Sequence, residues 1–425
     1  MHSFVIKYKN ILYGVLGICL FQGIISDYLG FRQVNYLCDV LLVLLLVVML
    51  CRKQVKLNKT TNNIENISIL AFAIVALIGW GLNTVRLPSA LWGLRNYGRF
   101  FLFFLFGRSL WNSEDVVTME NFFMKIFPFH MILIAFQYVV ERLNQDFLSG
   151  LFGKTPGGNG GLMIYLSVIL CIVICQFEYK KISTKKFVCY LLLIFVNAAL
   201  SELKFLFILA ILLVVWYLAM SKRKGRGMIL ALFFVIALYV GMQIFYYVFP
   251  FWANYLSFDN IMTMISDQEV YANQFDVGRT AVFSKLTPVI TKWAGQHAVW
   301  FGIGLGNGDY SDAIPMLNSA FYTVYGIMHY TWLSVGYLFV EVGYLGTIAY
   351  LSFFVILEIR AIVAYQKRSI YYNLLGTFFP IVFMIIIVYN STLRSNFAYI
   401  VFAVLTWQAL ADDKKGENSC DSKIY

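Results

Sequence analysis

Charge is scarce in this chain of 425 residues. Asp, Glu, Lys and Arg together make up 13% of it, where soluble globular domains carry about 25%. Such a composition excludes an ordinary water-facing surface around a single core. The charge present is lopsided, with a net value of +11, but it does not form a basic face, and nucleic acid is excluded as a partner. Lysines and arginines fall instead in short clusters: Arg52, Lys53, Lys56 and Lys59; Lys180, Lys181, Lys185 and Lys186; Lys222, Arg223, Lys224 and Arg226; Arg360, Lys367 and Arg368; Lys414 and Lys415. The seven cysteines (Cys19, Cys38, Cys51, Cys171, Cys175, Cys189 and Cys420) show no disulfide framework and no metal-ligand spacing. Cys171 and Cys175 share a helix face, where two thiols in an apolar helix read as packing. Of the four histidines, His2, His130 and His297 lack the setting of His329. No internal repeat is visible, which weighs against a transporter built from repeated halves.

What the chain has is apolar length. Hydrophobic residues make up 60% and aromatics 18%. Apolar runs of about 16–22 residues recur, and a helix needs about 20 to cross a bilayer. The runs predict helices over 10–30, 34–51, 66–84, 89–111, 121–140, 161–178, 187–201, 203–220, 228–249, 331–357, 373–390 and 397–411. The expected fold class is an all-α polytopic membrane protein of about twelve transmembrane helices. One large extracytoplasmic loop joins helices nine and ten. The expected organisation is a helical bundle over 1–249, that loop over 250–330, three helices over 331–411 and a cytoplasmic tail over 412–425. With both termini inside, every basic cluster falls on the cytoplasmic side, as the positive-inside rule requires. Lys7 and Lys9 precede an apolar stretch with no clear cleavage site, which reads as a retained first span. Splitting 187–220 at Ser201-Glu202-Leu203-Lys204 is needed for this parity.

Several residues could carry chemistry. Arg95 and Arg99 lie four apart, on one face of the fourth helix. An arginine at mid-span costs about 2.5–3.5 kcal/mol on insertion scales, so both face the bundle interior. An anion site and an internal ion pair are equally open there. Glu202 and Lys204 occupy a short outer turn, as an interfacial pair or as site residues. Arg279, in Val277-Gly278-Arg279-Thr280, offers a fork of donors suited to phosphate oxygens. Gly302, Gly304, Gly306 and Gly308 alternate with Ile303, Leu305 and Asn307. They can approach a ligand or turn back against the bundle, but they lack the spacing of a dinucleotide fingerprint. His329 precedes the tenth helix and can act as a general base. Glu341 lies within that helix, as its partner or as a buried structural acid. Aromatics crowd the insert, among them Trp252, Tyr255, Trp293, Trp300, Tyr310 and Tyr322, suited to interfacial anchoring or to sugar stacking.

The order Gly278-Arg279, Gly302-Ile303-Gly304-Leu305-Gly306-Asn307, His329 and Glu341-Val342-Gly343-Tyr344-Leu345-Gly346 resembles the O-antigen ligase and Wzy polymerase superfamily. The motifs cover about 70 residues, and the twelve-helix plan extends the likeness to most of the chain. The resemblance implies a GT-C-like membrane glycosyltransferase that needs no metal or cofactor. Its substrate is an oligosaccharide linked to polyprenyl pyrophosphate, used on the outer face of a bacterial inner membrane. It implies His329 as the base and Arg279 at the pyrophosphate, with Gly304, Gly306, Asn307 and Glu341 in the motifs around them. Lys204, beside Glu202, stands where the family often has a further arginine, and Tyr330 follows the histidine where Asn is common. Expected partners are membrane lipids, a chain-length regulator and a flippase. A polysaccharide polymerase is the first reading. A ligase moving glycan to a lipid A core, and a transporter of lipid-linked oligosaccharide, are the alternatives.

Overall fold

The computed structural model describes residues 8–51, 64–222, 224–252, 275–311 and 314–411. Arg52, Lys53, Lys56, Lys59, Arg223, Lys414, Lys415, His2, Lys7, Cys420, Tyr255 and the stretch 253–274 of the insert lie outside them. Among the described residues every regular element is helical. The first nine are α1 (Tyr8–Asp27), α2 (Val34–Cys51), α3 (Ile64–Leu82), α4 (Leu87–Leu110), α5 (Ser113–Val139), α6 (Gly158–Glu178), α7 (Thr184–Leu200), α8 (Lys204–Met220) and α9 (Lys224–Val248). The insert contributes α10 (Val282–Ala294), α11 (Gln296–Phe301) and α12 (Ala320–Tyr325). The chain then forms α13 (Ser334–Lys367), α14 (Tyr371–Gly376), α15 (Phe379–Tyr389) and α16 (Ala398–Ala411).

Helix thus occurs at each stretch where the apolar runs predict it, with 371–389 interrupted between α14 and α15. Among the described residues, eight helical segments are long and apolar enough to cross a membrane, which makes this a multi-pass membrane protein by helix length and hydropathy. The other four differ for visible reasons. α4 carries three arginines, and α7, α8 and α16 have only 17, 17 and 14 residues. The chain does turn at Ser201–Leu203, where the Leu203 N–H donates to the Ala198 carbonyl at 2.9 Å, and α8 packs on α7.

Burial follows sequence character. α6 is apolar all round and almost every residue of it is buried, as expected for a central helix. α16 is buried to the same degree, against α4 and α15. Outer helices turn apolar side chains outward instead, such as Val40, Val43, Leu44 and Val47 of α2 and Ile67, Leu70, Ile74 and Leu77 of α3. An apolar band of this kind suits lipid rather than water. Glu65 at the start of α3 accepts from Arg108 of α4 and Arg360 of α13, tying three helices together at the end opposite the insert.

One break organises the insert end. α13 is interrupted at Gly343, whose φ of 63° and ψ of −165° are outside the helical region. The interruption frees carbonyls from the helical ladder, and buried carbonyls need partners. The Val340 and Glu341 carbonyls accept from the Ile303 and Gly304 N–H groups, at 2.9 and 3.0 Å. The glycine-rich segment is thereby laid into the break, wedged between α13 and the start of α4. Gly306 has φ 78°, and a Cβ there would lie 1.8 Å from the Ser89 carbonyl oxygen. Gly306→Ala is therefore expected to cost more than about 2 kcal/mol and to lower Tm clearly in detergent. Gly14→Ala, with nothing within 4 Å of the new methyl, should leave Tm close to the parent.

Candidate functional site

A cavity of about 360 Å³ opens at the insert end of the bundle. Six separate stretches of chain line it among the described residues: the 3-10 turn at Asp146, the start of α6, the α7–α8 turn, the segment before α10, the turn before α13, and the end of α15. Glu202, Lys204, Arg279 and His329 all line it. The Glu202–Lys204 turn, Arg279 and His329 are far apart in sequence, and the fold brings them to one place.

His329 sits between two single 3-10 turns, Gly326–Met328 and Tyr330–Trp332. Its φ is 51°, in the left-handed region that side chains other than glycine rarely adopt. Its N–H donates to the Gly326 carbonyl, and its carbonyl accepts from the Trp332 N–H, both at 3.0 Å. The turn is pinned across the cavity by the Val277 N–H, which donates to the Met328 carbonyl at 3.0 Å. This contact brings Asp276 to the imidazole, with Asp276 Oδ1 2.7 Å from His329 Nδ1. When Asp276 is ionised its carboxylate only accepts, and the imidazole then donates through Nδ1 and presents Nε2 as its basic nitrogen. Both line the cavity, and the imidazole, 28% exposed, is the more open of the two, Asp276 being 2% exposed. The indole of Trp332 stacks on the imidazole at 4.0 Å between centroids and 13° between planes. Tyr330, next in sequence, points away, donating to the Gly308 carbonyl at 2.6 Å. Burial pushes its phenol up, which keeps it a neutral donor.

Arg279 is oriented by the end of α15. Its Nε donates to the Tyr389 carbonyl at 3.2 Å, and its guanidinium lies 4.5 Å from the centroid of the Tyr389 ring. That ring stacks in turn on Phe205 at 3.9 Å, so Arg279 is coupled to the first turn of α8. Lys204 opens that same turn and bridges Glu202 at 2.7 Å. Glu202 holds a left-handed φ of 56°, which lets the chain reverse within three residues. Asp146 and Asn159 line the cavity as well, hydrogen-bonded to each other.

The other sequence candidates lie elsewhere. Arg95 donates through Nε and Nη2 to Asp39 of α2, at 2.8 and 2.6 Å. Arg99 donates to the other oxygen of Asp39 at 3.0 Å, to Asn396 at 2.8 Å and to the Arg394 carbonyl at 2.9 Å. Neither lines the cavity; both serve an internal ion cluster. Glu341 is fully buried, accepting from the Gly306 N–H at 3.0 Å and from Arg394 at 3.2 Å. Arg394 also donates to Asp309 at 2.8 Å. Gly304, Gly306 and Asn307 belong to this packed region, with Asn307 Nδ2 donating to the Ile303 carbonyl at 2.9 Å. Glu341 is thus partnered with Arg394, not with His329.

Reading the sequence missed Asp276, Trp332 and Tyr389. Asp276 directly precedes the Val277-Gly278-Arg279 motif, an adjacency that Asp309 shares with the glycine-rich segment and that does not single it out. Trp332 and Tyr389 carried no signal beyond being aromatic near a helix end. Among the described residues, no cluster of three or more His, Cys, Asp or Glu side chains is placed to hold a metal ion. The arrangement can accept a proton at His329 Nε2 and offset negative charge beside it through Arg279 and Lys204.

Arg394→Met would leave Asp309 and Glu341 buried without their cation. Such a loss costs about 3–5 kcal/mol, read as a collapse of Tm in detergent, and adding Asp309→Asn and Glu341→Gln should recover part of it. Set against known proteins, the chain matches no protein-family model and no curated sequence.

Proposed function

We propose that this chain is a membrane glycosyltransferase that polymerises oligosaccharide repeat units linked to polyprenyl pyrophosphate. In this reading twelve helices cross a bacterial inner membrane and the cavity faces outward. The observation that carries it is the meeting of the Asp276–His329 pair with Arg279 and Lys204 at one cavity. The motif order that resembles the O-antigen ligase and polymerase superfamily supports it independently.

The reaction needs a base and a sink for charge. The acceptor hydroxyl oxygen attacks the anomeric carbon of the donor sugar, and a new C–O bond forms. Its proton passes to His329 Nε2, while Asp276 holds the imidazole in the right tautomer and stabilises the cation formed. The bond from the anomeric carbon to the pyrophosphate oxygen breaks, and its electron pair leaves with the lipid pyrophosphate. Arg279 and Lys204 offset that charge as it develops. Direct displacement inverts the anomeric carbon. A cavity of about 360 Å³ is near the lower end of small-molecule sites. It therefore suits the reacting ends of two glycans, with the remaining sugars outside.

Deleting the gene in the producing strain should collapse its surface-glycan ladder to single repeat units, and the wild-type gene should restore it. His329→Ala, expressed at normal level, should fail to restore it, with a rate loss of about 10²–10⁴-fold in a purified assay. Asp276→Asn should lose about 10²-fold by misplacing the base, and Arg279→Met about 10²–10³-fold by removing a donor to the leaving group. Long chains that stay on the polyprenyl carrier after deletion would mean a ligase instead. Rescue by His329→Ala would remove the catalytic role altogether.

A further inference from the structure

We infer that the cavity includes a subsite for the acceptor sugar, with Trp332 as the platform for one pyranose ring and the Asp146–Asn159 pair reading its hydroxyls. The inference rests on the glycosyl-transfer reading and names the class of acceptor. Trp332 is 47% exposed although it lines the cavity and stacks on His329. An imidazole is smaller than an indole and covers only part of it. A sugar ring resting against the remaining surface lies alongside the base. There its hydroxyl comes within the hydrogen-bond reach that proton transfer demands. The apolar indole suits the C–H face of a pyranose, as aromatic walls with a few placed polar groups suit small ligands generally.

Asp146 and Asn159 supply such polar groups. They come from different segments, the 3-10 turn Gln145–Phe147 and the first turn of α6, and meet at the cavity wall. With one amide N–H of Asn159 spent on Asp146, the pair still offers several acceptors and one donor, groups that neighbouring hydroxyls of a sugar take up. Charges of both signs line the cavity: among the described residues Lys204 and Arg279 are its lysine and arginine, and Asp146, Glu202 and Asp276 its carboxylates, with Lys204 bridged to Glu202. The phosphates of the donor need the first two. With those cations held by the donor phosphates, an acceptor beside Asp146 is a neutral or amino sugar, because a uronate would then face only like charge.

The test uses the full-length protein in lipid nanodiscs. The probe is the repeat-unit oligosaccharide released from the glycan of the producing strain, with a second sample whose terminal sugar is oxidised at C6 to the uronate. Binding is titrated by saturation-transfer NMR, without turnover. Trp332→Ala should weaken binding of the neutral probe about tenfold or more, the loss typical of removing a contact tryptophan, and Trp332→Phe should weaken it less. With inorganic pyrophosphate present to occupy Lys204 and Arg279, the uronate should bind wild type about tenfold more weakly, and Asp146→Asn should narrow that gap. Equal binding by Trp332→Ala and wild type overturns the subsite. Each variant's monodisperse elution guards against misfolding. The turnover assay separates the two proposals. Sugar binding that depends on Trp332, with no transfer by wild type, keeps the subsite and sinks the transferase. Transfer by wild type with an acceptor KM unmoved by Trp332→Ala keeps the transferase and sinks the subsite.

Discussion

A carboxylate in the middle of an apolar helix must find a cation or stay neutral, and much of this architecture follows from how Glu341 is answered. Its cation is Arg394, which reaches it from the connection between α15 and α16 and holds Asp309 of the insert at the same time. Asn96 of α4 donates to Asp309, and Arg99 of α4 donates to the backbone beside Arg394. Arg95 and Arg99 then share Asp39 of α2. Three acids and three arginines are thus drawn into one connected cluster spanning α2, α4, α13 and two loops. Pairing of this kind adds little net stability over a well-packed apolar core, yet it is costly to break. Its consequence here is positional, because it sets where the insert and the α15–α16 connection can lie.

The cavity is attached to that cluster through a few backbone contacts. Ser334, at the start of α13, donates to the Asn390 carbonyl through both its N–H and its hydroxyl, at 2.8 and 2.7 Å. The neighbouring Tyr389 carbonyl and ring hold Arg279. His329 lies a few residues before Ser334, in a turn pinned to the Arg279 segment. The buried ions therefore serve as the frame, and the half-exposed groups at the cavity carry the chemistry proposed for this protein. Two residues of the cavity, Glu202 and His329, adopt left-handed backbone conformations. Each costs of order 1–3 kcal/mol, a strain that the surrounding hydrogen bonds must hold in place.

Much of the helical plan was legible in the sequence because a bilayer-spanning helix needs a long apolar run, and such runs are local. Helix positions and the turn at Ser201–Leu203 could be read in that way. Glu202, Lys204, Arg279 and His329 stood out because charges at the ends of apolar runs are few. The role of Arg95 and Arg99 was not legible. Their spacing suits an anion site and an ion pair alike, and the acid that decides between them, Asp39, is 56 residues from Arg95. The glycine-rich segment was equally ambiguous until the break at Gly343 supplied carbonyls for it to cover.

By itself, the sequence determined a multi-pass helical membrane protein, since apolar length and the scarcity of charge are properties of short stretches. It also marked the few polar residues around which a site could form. Only the tertiary structure decided which of them meet. Asp276 is 53 residues from His329, and their contact depends on a backbone hydrogen bond between two loops. Arg279 is aimed by Tyr389, 110 residues away. Partnerships between distant side chains are set by the packing of whole helices and by the need to satisfy every buried polar group, and no local pattern of residues encodes them.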